Sequence, residues 1–313
     1  MQLLQNILVG LDLHHGDRIA SPDLEAASQA ALDQAVELAK VSGARLTLCS
    51  VLELSEHAHH LIEADHANLH RTVEDAAHAD LNQHAAKLRA EGLTVDVLVR
   101  VGKSWHELTQ QAQSGRHDLV VVGTRKRGST ARMLFGSTSH KLLRSCSAPV
   151  WIAKPGEVRE LREVLVASDF SDASLVALQA GVAAAGALNA KLFLVHALEF
   201  PFEAYMRTAG ISEQQVADYR KKMHAEARQN LQQHLHQTDY RTVQQGVKIE
   251  VIEGQPDDVI PKFIDDNEID LLVISTHGRS GFAGLLLGNT AERILPHAHC
   301  SLLVTRPPVA ATT

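Results

Sequence analysis

Apolar residues gather in ten short runs along the chain. Five lie at about 6–11, 45–52, 94–100, 118–123 and 148–153, and five at about 163–168, 191–197, 246–252, 270–275 and 301–305. The runs are rich in Val, Ile and Leu, and most lack strict apolar–polar alternation. That pattern predicts strands covered on both faces. Between them the spacing becomes helical. Over 25–41, Ala31, Ala35 and Leu38 share one face, while Asp33, Glu37 and Lys40 lie largely elsewhere. Over 173–186 small apolar residues dominate, including Ala173, Val176, Ala177, Ala180, Ala183 and Ala184. They predict close packing against a sheet or against the other half of the chain. Longer stretches at about 67–90 and 212–236 are more polar, the first carrying an apolar stripe of Val73, Ala77 and Leu81. Strands alternating with helices predict parallel sheets joined by right-handed crossovers.

The pattern occurs twice. Residues 102–155 match residues 254–307 without a gap, at a constant offset of 152. Gly102 meets Gly254, Asp118-Leu119-Val120 meets Asp270-Leu271-Leu272, Gly136 meets Gly288, and Pro155 meets Pro307. Earlier, Leu8-Val9-Gly10-Leu11-Asp12 resembles Leu165-Val166-Ala167-Ser168-Asp169, and Arg45-Leu46-Thr47-Leu48 resembles Lys191-Leu192-Phe193-Leu194. The changing offset gives the first copy extra residues after its first strand and the second copy a longer middle region. The Pro155-Gly156 pair punctuates the junction. The expected organisation is therefore two α/β domains, 1–155 and 156–313. Each has an open, mostly parallel five-stranded sheet with helices on both faces.

The 313 residues suit two domains of this size. A formal charge of -7 favours solubility and weighs against broad nucleic-acid binding. Cys49, Cys146 and Cys300 form no metal or disulfide pattern, which fits a reducing compartment. No apolar window is long enough to span a membrane, and the first residues run directly into a strand rather than reading as a signal peptide. A cytoplasmic location is expected.

Ligands of open parallel sheets bind beyond the C-terminal strand ends, where strand order reverses. Asp12 and Asp169 follow the first strand of each copy, and Gly123 and Ser275 end the fourth. In copy two, Gly278, Arg279 and Gly281 follow, then Gly288-Asn289-Thr290 before a helix. These residues allow backbone N–H groups and a helix N-terminus to approach a phosphate. Equally, the glycines serve tight turns, with Asn289 or Thr290 capping the helix. Copy one has Arg125-Lys126-Arg127, then Gly136-Ser137-Thr138, with Lys126 where copy two has Gly278. That side chain would crowd a phosphate cradle, and the cations would form a solvated loop or attract a surface anion. The two aspartates either accept from a ribose hydroxyl or adenine amine, or cap the adjacent turn. A Walker lysine motif, a dinucleotide fingerprint, a nucleophile elbow and a catalytic triad are all missing from the sequence. Among 19 histidines, His57, His59, His60, His66 and His70 cluster after the second strand. His66 and His70, four apart, would share a helix face and with Glu63 or His59 form a candidate transition-metal site, or the cluster is a polar lid or helix surface.

With these features in place, the chain resembles the tandem-domain universal stress proteins of bacteria, whose fold is adenine nucleotide alpha hydrolase-like. The family's phosphate motif is Gly, two residues, Gly, nine residues, then Gly and Ser or Thr. Copy two keeps that spacing as Ser275, Gly278, Gly288 and Asn289, and copy one as Gly123, Lys126, Gly136 and Ser137. The resemblance implies a stress-response protein that binds ATP or a related adenine nucleotide, with magnesium and weak hydrolysis at most. Copy two is the expected site: Asp169 and the strand edge at Val195 would face adenosine, and Gly278, Arg279, Gly288, Asn289 and Thr290 the phosphates. Copy one, with Asp12, Gly123, Lys126, Gly136 and Ser137, would be a degenerate second site. The resemblance also implies pairing of the two copies through their last strands, 148–153 and 301–305, and leaves a homodimer open. The competing readings are an interaction protein that has lost nucleotide binding in both copies, and a metal or enzymatic role centred on the histidines.

Overall fold

The computed structural model describes residues 4–13, 23–53, 68–124, 136–156, 160–276 and 288–306, with side chains between 68 and 72 excluded. By its internal contacts the chain divides into two units. The N-terminal unit holds Gln2–Glu160 together with Ser301–Val304, and the C-terminal unit holds Leu161–Cys300 with the last residues.

In the N-terminal unit the elements run β1 (Asn6–Leu11), α1 (Ala26–Ser42), β2 (Arg45–Leu52), α2 (Asn68–Ala90), β3 (Val95–Val101), α3 (Ser104–Ser114), β4 (Leu119–Gly123), α4 (Ser137–Ser145) and β5 (Val150–Ala153). Strand β1 sits between β2 and β4, β3 lies outside β2, and β5 lies outside β4, all parallel. The segment Ser301–Val304 adds an antiparallel neighbour, with Leu303 opposite Trp151. The central strands explain the unbroken apolar runs, since Ile7, Leu8, Val9, Leu46, Leu48, Val120 and Val121 are fully buried.

From Glu163 onward the order repeats as β6 (Glu163–Ala167), α5 (Asp172–Ala187), β7 (Lys191–Leu198), α6 (Glu203–Thr208), α7 (Glu213–His236), β8 (Val247–Glu253), α8 (Pro256–Asp266), β9 (Leu271–Ser275), α9 (Asn289–Ile294) and β10 (Ser301–Thr305), of which Ser301–Val304 belong by their contacts to the N-terminal unit. Here β6 lies between β7 and β9, with β8 outside β7, again all parallel. The longer middle region of copy two contains the short helix α6. Helix α7 starts at a capping box, in which Ser212 Oγ accepts from Gln215 N–H and the Gln215 side chain accepts from Ser212 N–H.

In both units the chain leaves its first strand in one direction and later returns to the other side. This places a crevice at the C-terminal ends of β1 and β4, and of β6 and β9. The helix layers are set by register. Gly10 lies beside Val122 in adjacent strands, so their side-chain positions share a face. A Cβ on Gly10 would come within 2.9 Å of Leu108 on α3, whereas one on Gly123, the next position along β4, would meet the Ala27 carbonyl oxygen of α1 at 2.0 Å. Helices α1 and α3 therefore cover opposite faces. The small residues of α5 act similarly: a Cβ on Gly181 would lie 2.3 Å from Val166 of β6.

Candidate functional site

The N-terminal crevice opens into a cleft of about 520 Å³. Gly10, Leu11 and Asp12 enter it from the end of β1. Cys49, Val51 and Glu53 enter from β2 and the residue after it. Those three alternate along an extended chain, so they share one face. Glu25, Ala27 and Ser28 line it from the start of α1, Ser104 and Leu108 from one face of α3, and Val122 and Gly123 from β4. Gly136, Ser137, Thr138 and Ser139 close it at the start of α4. Four of the five copy-one candidates, Asp12, Gly123, Gly136 and Ser137, are thus brought to one cavity. Lys126 lies outside the described residues.

Local chemistry holds these walls. The Asp12 backbone N–H donates to Ser28 Oγ at 2.9 Å, tying the end of β1 to the start of α1. The Glu53 carboxylate accepts from the Ser104 N–H at 2.7 Å and caps α3 from the end of β2. Gly136 is the N-cap of α4 and offers no capping side chain, so the first N–H groups of that helix remain suited to an anion. A Cβ at Gly136 would meet nothing within 4 Å. Burial pushes the Cys49 thiol up to about 12, with Arg100 opposing that shift and Glu107 adding to it. Cys49 is therefore a neutral part of the floor rather than a nucleophile.

The copy-two residues behave differently. Asp169 Oδ1 accepts from the Ser171 N–H at 3.1 Å and from the Ser171 hydroxyl at 2.5 Å. Ser171 in turn caps α5, accepting from the Ser174 N–H at 3.1 Å. The turn and cap role read for this acid is thus present. Val195 is fully buried, and its carbonyl accepts from the Ser168 N–H at 2.9 Å. The Gly288 N–H donates to the Thr276 carbonyl at 2.6 Å. Gly288 itself is the N-cap of α9, so Asn289 and Thr290 are its first residues and neither caps it. Both are exposed. Gly278 and Arg279 lie outside the described residues.

Beside Asp169, Phe170 has a left-handed backbone (φ 64°) and its ring packs 4.0 Å from that of His196, centroid to centroid. His196 Nδ1 lies 2.8 Å from the Ser168 carbonyl oxygen. At the end of β8, Glu253 joins Arg220 and His224 of α7, the latter at 2.8 Å. The His224 hydrogen bond, aided by Arg220, holds the Glu253 carboxyl below the ordinary glutamate range.

Among the described residues, three or more His, Cys, Asp or Glu side chains nowhere gather to hold a metal. The proposed cluster at His57, His59, His60, Glu63 and His66 falls outside them, and His70 enters only as part of the α2 backbone. The described helices include none long and apolar enough to cross a membrane. Pattern reading missed Glu25, Cys49, Glu53 and Ser104 as cleft residues. The period-two spacing of Cys49, Val51 and Glu53 was the signal that could have found three of the lining positions.

Comparison with known proteins bears on the duplication directly. The profile described as Universal stress protein family matches residues 5–154 and again 160–306. The chain is similar to Universal stress protein E of Photorhabdus laumondii, 24% identical over 316 residues, covering 97% of this chain and 95% of that protein. It is also similar to Universal stress protein E of Escherichia coli (strain K12), 26% identical over 326 residues, covering 98% and 95%. Among solved structures, a universal stress protein from Archaeoglobus fulgidus aligns with a TM-score of 0.67 at 18% identity, covering 98% of this chain and 99% of that one. The shared fold is adenine nucleotide alpha hydrolase-like, as expected from the sequence.

Proposed function

The chain belongs to the universal stress protein family, carrying two of its domains in tandem, and we propose that its N-terminal domain binds an adenine nucleotide. The observation that carries this reading is the cleft of about 520 Å³ at the strand edge, which gathers Asp12, Gly123, Gly136 and Ser137. A nucleotide needs two unlike ends of a site. The start of α4 offers N–H donors to phosphate. Asp12 and the apolar floor of Leu11, Val51 and Leu108 suit the nucleoside. Magnesium would accompany a di- or triphosphate, with no residue assigned to it. In this reading the role is binding, with hydrolysis weak at most. The biological setting is a cytoplasmic stress response.

A second reading keeps the nucleotide in the C-terminal domain. It is favoured by the spacing of Ser275, Gly278, Gly288 and Asn289, with glycine where the first copy has Lys126. Against it stands Asp169, whose carboxylate oxygen is engaged by Ser171. Calorimetric titration of the full chain with AMP, ADP and ATP, with and without magnesium, separates the two. Gly136→Arg places a long side chain where the backbone leaves open space, so the variant should fold and fill the cleft. The expected result is one site per chain, abolished in Gly136→Arg and retained in Gly288→Arg. Loss in Gly288→Arg alone would move the site to the C-terminal domain. No binding by the unsubstituted chain would leave the non-enzymatic interaction role.

A further inference from the structure

Glu53 stands out among the cleft residues because it belongs to none of the motif positions. One carboxylate oxygen caps α3 through the Ser104 N–H at 2.7 Å, and Glu53 is exposed and lines the cavity. Among the described residues, no other hydrogen bond or ion pair engages it. An ionised carboxylate only accepts hydrogen bonds. The cap fixes the side chain through one oxygen and leaves the other for a donor. This arrangement cannot recur in the second copy. The position matching Ser104 at the offset of 152 is Pro256, which has no N–H to give to Glu199, the counterpart of Glu53. The two domains have therefore diverged at this wall, where the second cannot form the cap that fixes Glu53 in the first.

We infer that Glu53 is a specificity-determining residue of the N-terminal cleft, accepting a hydrogen bond from a neutral donor on the nucleoside. This rests on the reading of that cleft as a nucleotide site. Two parts of a nucleoside carry such donors, the 6-amino group of the base and the ribose hydroxyls. A ligand that presents an oxygen at that point, or lacks the hydroxyl, would meet an unpaired carboxylate and bind more weakly.

The test is calorimetric titration of the full chain with AMP, IMP and 2′-deoxy-AMP, beside Glu53→Gln. Glutamine keeps an oxygen to cap the Ser104 N–H, so α3 stays supported, but its other terminus donates. The unsubstituted chain should prefer AMP over one of the two analogues by about fivefold to tenfold. Glu53→Gln should bring that ratio close to one while AMP still binds. Loss of the AMP/IMP preference identifies the base amine as the donor, and loss of the AMP/2′-deoxy-AMP preference identifies the ribose. Unchanged ratios in Glu53→Gln, or an equal weakening of all three ligands, would overturn the inference and leave the cleft reading standing. Failure of the unsubstituted chain to bind any of the three would remove both.

Discussion

Asp118 and Asp270 hold the same place in the two domains and make the same bonds. Asp118 Oδ2 accepts from the N–H groups of Gln5 at 2.8 Å and Asn6 at 2.9 Å, while Asp270 Oδ2 accepts from Arg162 at 2.8 Å and Glu163 at 3.0 Å. Each carboxylate at the start of a fourth strand thus holds the entry to the neighbouring first strand. Replacing either by Ala should cost about 1–3 kcal/mol in urea unfolding, because two donors lose a charged acceptor. His117 is nearly buried, with Nδ1 near the Gln111 carbonyl at 3.1 Å and Nε2 near the Thr47 hydroxyl at 3.2 Å. Burial lowers its pKa from the ordinary histidine value, outweighing the Gln111 hydrogen bond and the Asp118 charge. The unfolded chain therefore binds this proton more readily than the folded one. His117 contributes stability above the ordinary histidine range that is lost as pH falls through 6.5 toward the lowered value. Thermal unfolding at pH 7.5 and 5.5 should show a smaller difference in His117→Gln than in the unsubstituted chain. The paired aspartates were legible as a repeat, but their role was not, because a strand-to-strand cap needs the register of two distant segments.

Helices approach the sheet closely where a glycine on either partner offers no side chain, as Gly123 does on β4 and Gly181 on α5. Gly123 lets the Ala27 carbonyl of α1 come near, and the φ of 147° at Gly102 and 137° at Gly254 turns the chain into α3 and α8. Gly123→Ala should therefore destabilise the N-terminal domain by about 1–3 kcal/mol, measured by denaturant unfolding, since the obstacle is backbone. The element order and the alternation of strand and helix were legible from apolar spacing. Side-chain partners across elements were not. Lys141 of α4 sits 5.5 Å over the Trp105 ring, whereas in the second copy Arg293 of α9 lies 3.5 Å from Asp257 of α8. Those residues correspond at the offset of 152, so two different attractions fasten equivalent helices. The cap positions show the same limit. From sequence Asn289 or Thr290 reads as the cap, but the N-cap of α9 is Gly288, a glycine whose φ of -59° suits any residue.

At the scale of the chain, duplication supplied two strand-edge crevices and sequence divergence gave them different chemistry. The motif spacing pointed to the second copy, because Gly278 is present there and Lys126 replaces it in the first. Spacing, however, could not reveal that Ser171 engages Asp169, nor that Glu53 and Ser104 join two walls of the first cleft. The duplicated fold itself was fully legible, since a constant offset over 102–155 survives any uncertainty in single elements. The cysteines also belong at this scale: Cys49, Cys146 and Cys300 are all buried, and Cys49 carries a thiol pushed to about 12. A thiol reagent at pH 8 should label the folded chain slowly and label all three cysteines once denaturant is added.

The central claim is that the N-terminal cleft holds the nucleotide. Photo-crosslinking of the full chain with 8-azido-AMP, followed by peptide mapping, tests it most directly. Labelling confined to peptides containing Gly10–Asp12, Cys49–Glu53 or Ser104–Leu108, and suppressed by excess AMP, is the predicted result. Labelling confined to the peptides of Asp169, Val195 or Gly288, or none that AMP suppresses, would contradict it.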